Sequence, residues 1–213
     1  AMVHYLDHSV GRLLEKLENE GLEENTIVLF YSDNGGLGSA YPGAATSEAP
    51  LRAGKGWLYE GGIRVPMIVR WPGRVEAGTV NETLFNTPDL YPTLLDLAGL
   101  EMRPGQHVDG TSIAPALLEG AAMTDRTLFW HWPHYSNHGQ QSPAGAIRSG
   151  RYKLIEYYEN GTRQLFDLEA DRQERENLVN QRPTLADSLA RELEAWRAET
   201  GADLPTPNPD YEP

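Results

Sequence analysis

Apolar residues at Val3, Leu6, Val10, Leu13, Leu14 and Leu17 repeat every three or four positions, and Gly21 follows where a left-handed residue can end a helix. The spacing predicts an amphipathic helix over 2–20. Thr26, Ile27, Val28, Leu29, Phe30, Tyr31 and Ser32 then form an unbroken β-branched and aromatic run. Such a run predicts a strand buried on both faces, as in a parallel sheet between helices. It stops at Asp33, Asn34, Gly35 and Gly36, and from there to Gly62 the chain is rich in Gly, Ala, Ser and Pro with little periodicity. A long irregular stretch inside a compact domain is either functional or disordered.

A second buried strand is predicted over 65–71, closed by Pro72 and Gly73. Thr87, Pro88 and Asp89 lead in a helix, with Thr87 as its cap, Pro88 at the first helical position, and Leu90, Leu94, Leu95 and Leu97 inside. Helix, strand, loop, strand and helix in this order predict an α/β architecture. From about residue 124 the pattern shifts to short strand-like pieces at 128–132, 144–148, 152–157 and 163–168, separated by turns such as Ser149-Gly150 and Asn160-Gly161. These predict a small antiparallel sheet. A helix from 183 to about 199 follows, with Leu185, Leu189, Leu193 and Trp196 on one side and Gly201 after it; the proline-rich tail over 205–209 reads as extended. The division expected from this change of pattern is 1–122 and 123–213.

Composition narrows the function. The 213 residues carry 18 Lys+Arg against 31 Asp+Glu, a formal charge of −13, without any basic cluster. That balance argues against nucleic acids and anionic membrane surfaces as partners, since both recruit clustered positive charge. The apolar runs are only a few residues long, so no membrane span is expected. With no cysteine, these residues hold no disulfide, no thiolate-bound zinc and no cysteine nucleophile.

Within this acidic chain one stretch is positive. Arg52, Lys55, Arg64, Arg70 and Arg74 face only Glu60 between Ala49 and Val75, which suits an anionic substrate group. Lys55 lies between Gly54 and Gly56, where the backbone leaves its ammonium open to a ligand; Arg64 is expected to pair with Glu60 or with an acid elsewhere in the core. Asp33 and Asn34 sit where a strand meets a glycine pair, the end of an α/β strand at which ligands bind. Their carboxylate and amide oxygens are hard donors suited to Ca2+ or Mg2+, although Asp-Asn-Gly is equally good turn chemistry. His131, His134 and His138 have the spacing of one helix face, but Pro133 breaks helical continuity and weakens a zinc reading. With Trp130, Trp132 and Tyr135 they could line a sugar or aryl pocket, or pack between the two parts of the chain. The acidic run over 167–176 reads as a solvated turn.

Taken together, Val10-Gly11-Arg12-Leu13-Leu14, Tyr31-Ser32-Asp33-Asn34-Gly35-Gly36, and Leu51-Arg52-Ala53-Gly54-Lys55-Gly56 through Glu60-Gly61-Gly62-Ile63-Arg64-Val65-Pro66 resemble the type I sulfatases of the alkaline phosphatase superfamily. Ala146-Ile147-Arg148-Ser149-Gly150-Arg151-Tyr152-Lys153-Leu154-Ile155, Leu165-Phe166-Asp167-Leu168 and Glu176-Asn177-Leu178 resemble that family's C-terminal subdomain.

The resemblance implies the C-terminal part of an alkaline-phosphatase-like α/β domain followed by a small antiparallel sheet with a packed helix. It implies that Asp33 and Asn34 are two ligands of a divalent cation, calcium (Ca2+) with Mg2+ as the alternative, and that Lys55 contacts the sulfate group. The implied substrate is a sulfated small molecule or glycan, with His131 and His134 as candidate substrate-binding residues, and the implied setting is periplasmic or secreted.

The family's nucleophile is a formylglycine made from Cys or Ser in a Cys/Ser-x-Pro/Ala-x-Arg motif. Ser47-Glu48-Ala49 comes nearest, but Leu51 stands where Arg belongs. The nucleophile and the remaining metal ligands are therefore expected in an N-terminal part outside this chain, which alone should be inactive and bind calcium poorly. A phosphodiesterase or phosphonate hydrolase of the same superfamily, and a non-catalytic carbohydrate-binding module, are the alternatives.

Overall fold

The structure, a computed structural model, describes residues 2–38, 46–121, 123, 126–138, 140–206 and 208–210. In chain order its elements are α1 (Met2–Asn19), β1 (Val28–Tyr31), α2 (Glu60–Ile63), β2 (Met67–Arg70), α3 (Leu90–Leu97), α4 (Ala114–Leu118), β3 (Thr127–Trp132), β4 (Ala144–Ser149), β5 (Tyr152–Tyr157), β6 (Arg163–Asp167) and α5 (Pro183–Thr200). They fall into two compact units: Ala1–Tyr31 with Met67–Thr124, and Ser32–Pro66 with Asp125–Pro213. Among the described residues no helix is long and apolar enough to cross a membrane.

In the first unit α1 matches its spacing, and Gly21 beyond it takes the left-handed conformation, φ 64°. The strand expectation needs correction. β1 pairs antiparallel with β2, from Val28 opposite Arg70 to Tyr31 opposite Met67. Nor are these strands buried on both faces, since Phe30 is 42% and Ile68 61% exposed. An apolar β-branched run reports a preference for extended backbone and burial; it does not carry the direction of the neighbouring strand. The β1–β2 pair is tied to the turn before β1 by Arg70 donating to Glu23 at 2.7 Å and by the Trp71 indole donating to the Glu24 carbonyl at 2.9 Å.

The lead-in to α3 also differs in its cap. Thr87–Asp89 form a 3-10 turn capped by Asn86 rather than by Thr87. The fully buried Asp89 carboxylate accepts the N–H groups of Asn86 and Thr111, both at 2.8 Å, so it ties the helix start to the loop before α4.

In the second unit β3, β4, β5 and β6 form an antiparallel sheet in that order, each strand beside its sequence neighbour. Alternation sends successive side chains to opposite faces. On one face Ile147, Leu154 and Leu165 pack against Ala186, Leu189, Ala190 and Leu193 of α5, and Phe129 stacks on Trp196 with ring centroids 4.9 Å apart. On the other face Ala144, Ala146, Ile155 and Phe166 pack against Leu58 and Tyr59, with Ala53, Trp57 and Ile63 at the margin. The irregular segment around Lys55 is thus a layer of the fold, lying on the sheet opposite α5. The sheet with its packed helix agrees with the architecture expected for the C-terminal part.

Candidate functional site

The Asp33 corner is shaped by short-range hydrogen bonds. Ser32 Oγ donates to the Asn34 carbonyl at 2.8 Å, and Asn34 Nδ2 donates to the Gly35 carbonyl at 2.9 Å, which leaves the Asn34 Oδ1 as an acceptor. Asp33 is exposed, and among the described residues its carboxylate has neither a hydrogen bond nor an ion pair.

Two backbone bonds stitch this corner to the positive segment. The Gly35 N–H donates to the Gly62 carbonyl at 2.9 Å, and the Lys55 N–H donates to the Gly36 carbonyl at 2.8 Å. A third, from Gly61 to the Arg52 carbonyl at 2.8 Å, closes the loop on itself. The approach tolerates no side chain at the corner: a Cβ on Gly35 would stand 1.7 Å from the Gly61 oxygen. Glycine there is a packing requirement. Lys55 is half-buried, and among the described residues its ammonium has no carboxylate partner. The structure therefore brings Asp33, Asn34 and Lys55 onto one hydrogen-bonded frame, as two hard oxygen donors and one cation.

Beneath this frame lies a charge cluster that the residue pattern did not reveal. Lys153, fully buried on β5, places its Nζ 3.0 Å from Glu60 Oε1 and 2.9 Å from Glu174 Oε1. Arg148 stands opposite Lys153 across the β4–β5 ladder and reaches Glu60 Oε2 at 3.6 Å, while Arg64 reaches the same oxygen at 3.5 Å, as expected of it. Glu174 also accepts the backbone N–H of Glu60 at 2.7 Å, and its carbonyl accepts Arg52 at 2.7 Å. The Arg52 guanidinium lies 3.8 Å from the Tyr59 ring centroid.

Burial pushes the Glu60 carboxyl up, but Lys153, Arg148 and Arg64 outweigh it and hold its pKa below the ordinary value. For Glu174 burial wins over Lys153, and its pKa is raised. The solvated turn expected over 167–176 is therefore wrong at Glu174, which is fully buried with φ 53°. The available signal was period two: Lys153 falls on the same strand face as Ile155, the face turned to the core.

The histidines go elsewhere. His131 uses both ring nitrogens within the fold, Nδ1 with the Tyr158 hydroxyl at 2.7 Å and Nε2 with the Asp203 carbonyl at 2.9 Å. A carbonyl only accepts, so Nε2 carries the proton, Tyr158 donates to Nδ1, and neither nitrogen is left for a ligand. His134 is exposed, its ring edge-on to Trp132 with centroids 6.0 Å apart. The loop that bears it is fastened to the Lys55 segment by Gln141, whose Oε1 accepts the Leu58 N–H at 2.6 Å.

Comparisons with known proteins agree on one family. Residues 1–100 match the sulfatase family, and residues 53–199 match the family described as N-sulphoglucosamine sulphohydrolase, C-terminal. A sulfatase of Formosa agariphila is 37% identical over 95% of this chain and 40% of its own length. The human N-acetylgalactosamine-6-sulfatase is 40% identical over 61% of this chain and 24% of its own. Among solved structures, Ps i-CgsB in complex with k-i-k-neocarrahexaose superposes with a TM-score of 0.75 at 35% identity, covering 92% of this chain and 41% of that one. BT4656 in complex with its substrate D-glucosamine-2-N,6-O-disulfate gives 0.75 at 27% identity, covering 94% and 40%. The chain thus spans about two fifths or less of the proteins it matches.

Proposed function

The chain belongs to the sulfatase family, whose C-terminal portion it matches, and from that premise we propose that it supplies part of the active site of a sulfuric ester hydrolase acting on a sulfated carbohydrate or aryl sulfate. The observation that carries this reading is the stitched frame, which holds on one backbone scaffold the Asn34 oxygen with an Asp33 carboxylate and a Lys55 ammonium that have no charge partner among the described residues. The donor set fits a hard divalent cation: a carboxylate and an amide oxygen are two of the six to eight oxygens that calcium takes. Among the described residues no group of three or more acidic, His or Cys side chains converges, so the further ligands come from outside them.

In this reading Asp33 and Asn34 hold the cation, which when bound withdraws charge from the sulfuryl oxygens. Lys55 donates N–H bonds to those oxygens and stabilises them as charge builds during attack on sulfur. The attacking group is a formylglycine in an N-terminal part, and hydrolysis releases the alcohol and sulfate. Trp132 and His134 offer an apolar and polar platform for the sugar; His131 holds β3 to Tyr158 behind it. A periplasmic or secreted location accords with the same assignment. The disulfated glucosamine bound by BT4656 supports a sulfated sugar as the substrate class.

The test uses the full-length enzyme with p-nitrophenyl sulfate. Lys55→Ala is expected to lower kcat/KM by about 100- to 1000-fold, the scale of losing one donor to developing charge. Asp33→Ala is expected to raise the calcium concentration needed for activity. Undiminished turnover by Lys55→Ala overturns the reading.

A further inference from the structure

We propose that Lys153, with Glu60 and Glu174, is a positioning residue for Lys55: the buried charge cluster sets the height and register of the Lys55 loop on the sheet, and with it the cation corner. The inference rests on the function proposed for Lys55 and adds residues that touch neither substrate nor cation.

The path is continuous. Lys153 rises from β5 on the face that carries Ile155, beside Arg148 on β4, and both point at Glu60. Glu60 opens α2, so fixing its carboxylate fixes Gly61 and Gly62. Gly62 receives the Gly35 N–H, and Gly61 donates to Arg52 at the start of the Lys55 loop. Glu174 clamps both ends of that loop, taking the Glu60 N–H on its carboxylate and the Arg52 guanidinium on its carbonyl.

The apolar contact of Leu58 and Tyr59 with a sheet face built from Ala144 and Ala146 is non-directional, and the directed bonds beside it, from the Leu58 N–H to Gln141 and from the Tyr59 hydroxyl to Gln164, hold those two residues rather than Glu60. Two carboxylates on one buried ammonium cannot slide. Each contact has a single geometry, and leaving either acid unpaired in the interior is costly. The cluster also exceeds what packing needs, since a methionine of similar length would fill the Lys153 site.

The experiment is a double-substitution cycle in the full-length enzyme, read by kcat/KM for p-nitrophenyl sulfate and by thermal melting. Lys153→Met alone is expected to lower kcat/KM by about 10- to 100-fold, the loss produced by a displacement near 1 Å. In the Lys55→Ala background the same change is expected to cost several-fold less than it does alone, because of the two features it positions only the corner at Gly35 remains. Its effect on the melting temperature should be equal in both backgrounds. Glu174→Gln, of nearly unchanged shape, carries the same cycle if Lys153→Met does not fold.

Faster hydrogen exchange at the Lys55 and Gly35 amides, with the α5 amides unchanged, is the accompanying signature. Equal losses in both backgrounds, or a kcat/KM that only tracks the folded fraction, overturn the positioning role and leave the function of Lys55 standing. A fully active Lys55→Ala instead overturns the function itself.

Discussion

At the scale of single residues, Glu60 and Glu174 share one ammonium yet titrate in opposite directions. A carboxyl whose folded pKa lies below its unfolded value gives stability above that value and loses it as pH falls through the folded pKa. Glu60, held below its ordinary 4.5, is of this kind. Glu174, raised above 4.5 by burial, is the reverse: its ionised form is disfavoured by folding, so its contribution worsens as pH climbs from 4.5 through the folded pKa.

Relative to the parent, Glu60→Gln should therefore lose melting temperature as pH rises from acid to neutral, whereas Glu174→Gln should gain it. Melting curves across that range check the pair, and slopes of the same sign count against the assignment. Charged residues default to solvent in a sequence reading, which is why this cluster was not legible. Glu174 was hidden in an acidic run. Asp33, Asn34 and Lys55, by contrast, stood out through the glycines beside them, and two of those glycines, Gly35 and Gly36, prove to be stitching points.

At the scale of elements, the second unit was read from its sequence almost strand for strand. Burial along 144–149, 152–157 and 163–167 runs through consecutive residues because both faces are covered, one by α5 and one by the Lys55 layer, and it was the short β-rich runs between Gly and Asn turns that marked the strands. α5 was equally plain, from Pro183 at its first turn to Gly201 in the left-handed cap, φ 65°. What failed was direction and brevity. The β1–β2 pairing is antiparallel because neighbours are set by tertiary context, and α4, with five residues, is too short to show a helical period.

Leu193 is fully buried between α5 and Ile147, Leu154 and Leu165. Leu193→Ala should destabilise the protein by about 2–5 kcal/mol in urea titration, through lost transfer energy and the cavity left behind. A change below 1 kcal/mol, roughly the scale of a surface substitution, would show that the α5 layer does not anchor the sheet.

At the scale of the molecule, these residues hold the stitched frame and its buried support but no cysteine and no Ser-x-Pro/Ala-x-Arg motif. The 213-residue chain alone should therefore hydrolyse no p-nitrophenyl sulfate at any calcium concentration; measurable calcium-dependent turnover by the purified chain would contradict the division of labour proposed for it. The positive stretch around Lys55 was visible in the charge order, and the layer it forms on the sheet was not, because nothing local in the segment announces a partner so distant in sequence.

That distance has a consequence for how the protein is made. Glu60 and Glu174 lie 114 positions apart. At about 5–20 residues per second, the ribosome delivers the second about 6–23 s after the first. During that interval the nascent Lys55 loop lacks its Glu174 clamp, and so does the Asp33–Gly36 corner stitched to it. A premature stop codon anywhere between Gly150 and Glu174 would leave every candidate ligand in the product but remove Glu174 and α5 together, and the Lys55 loop would never set.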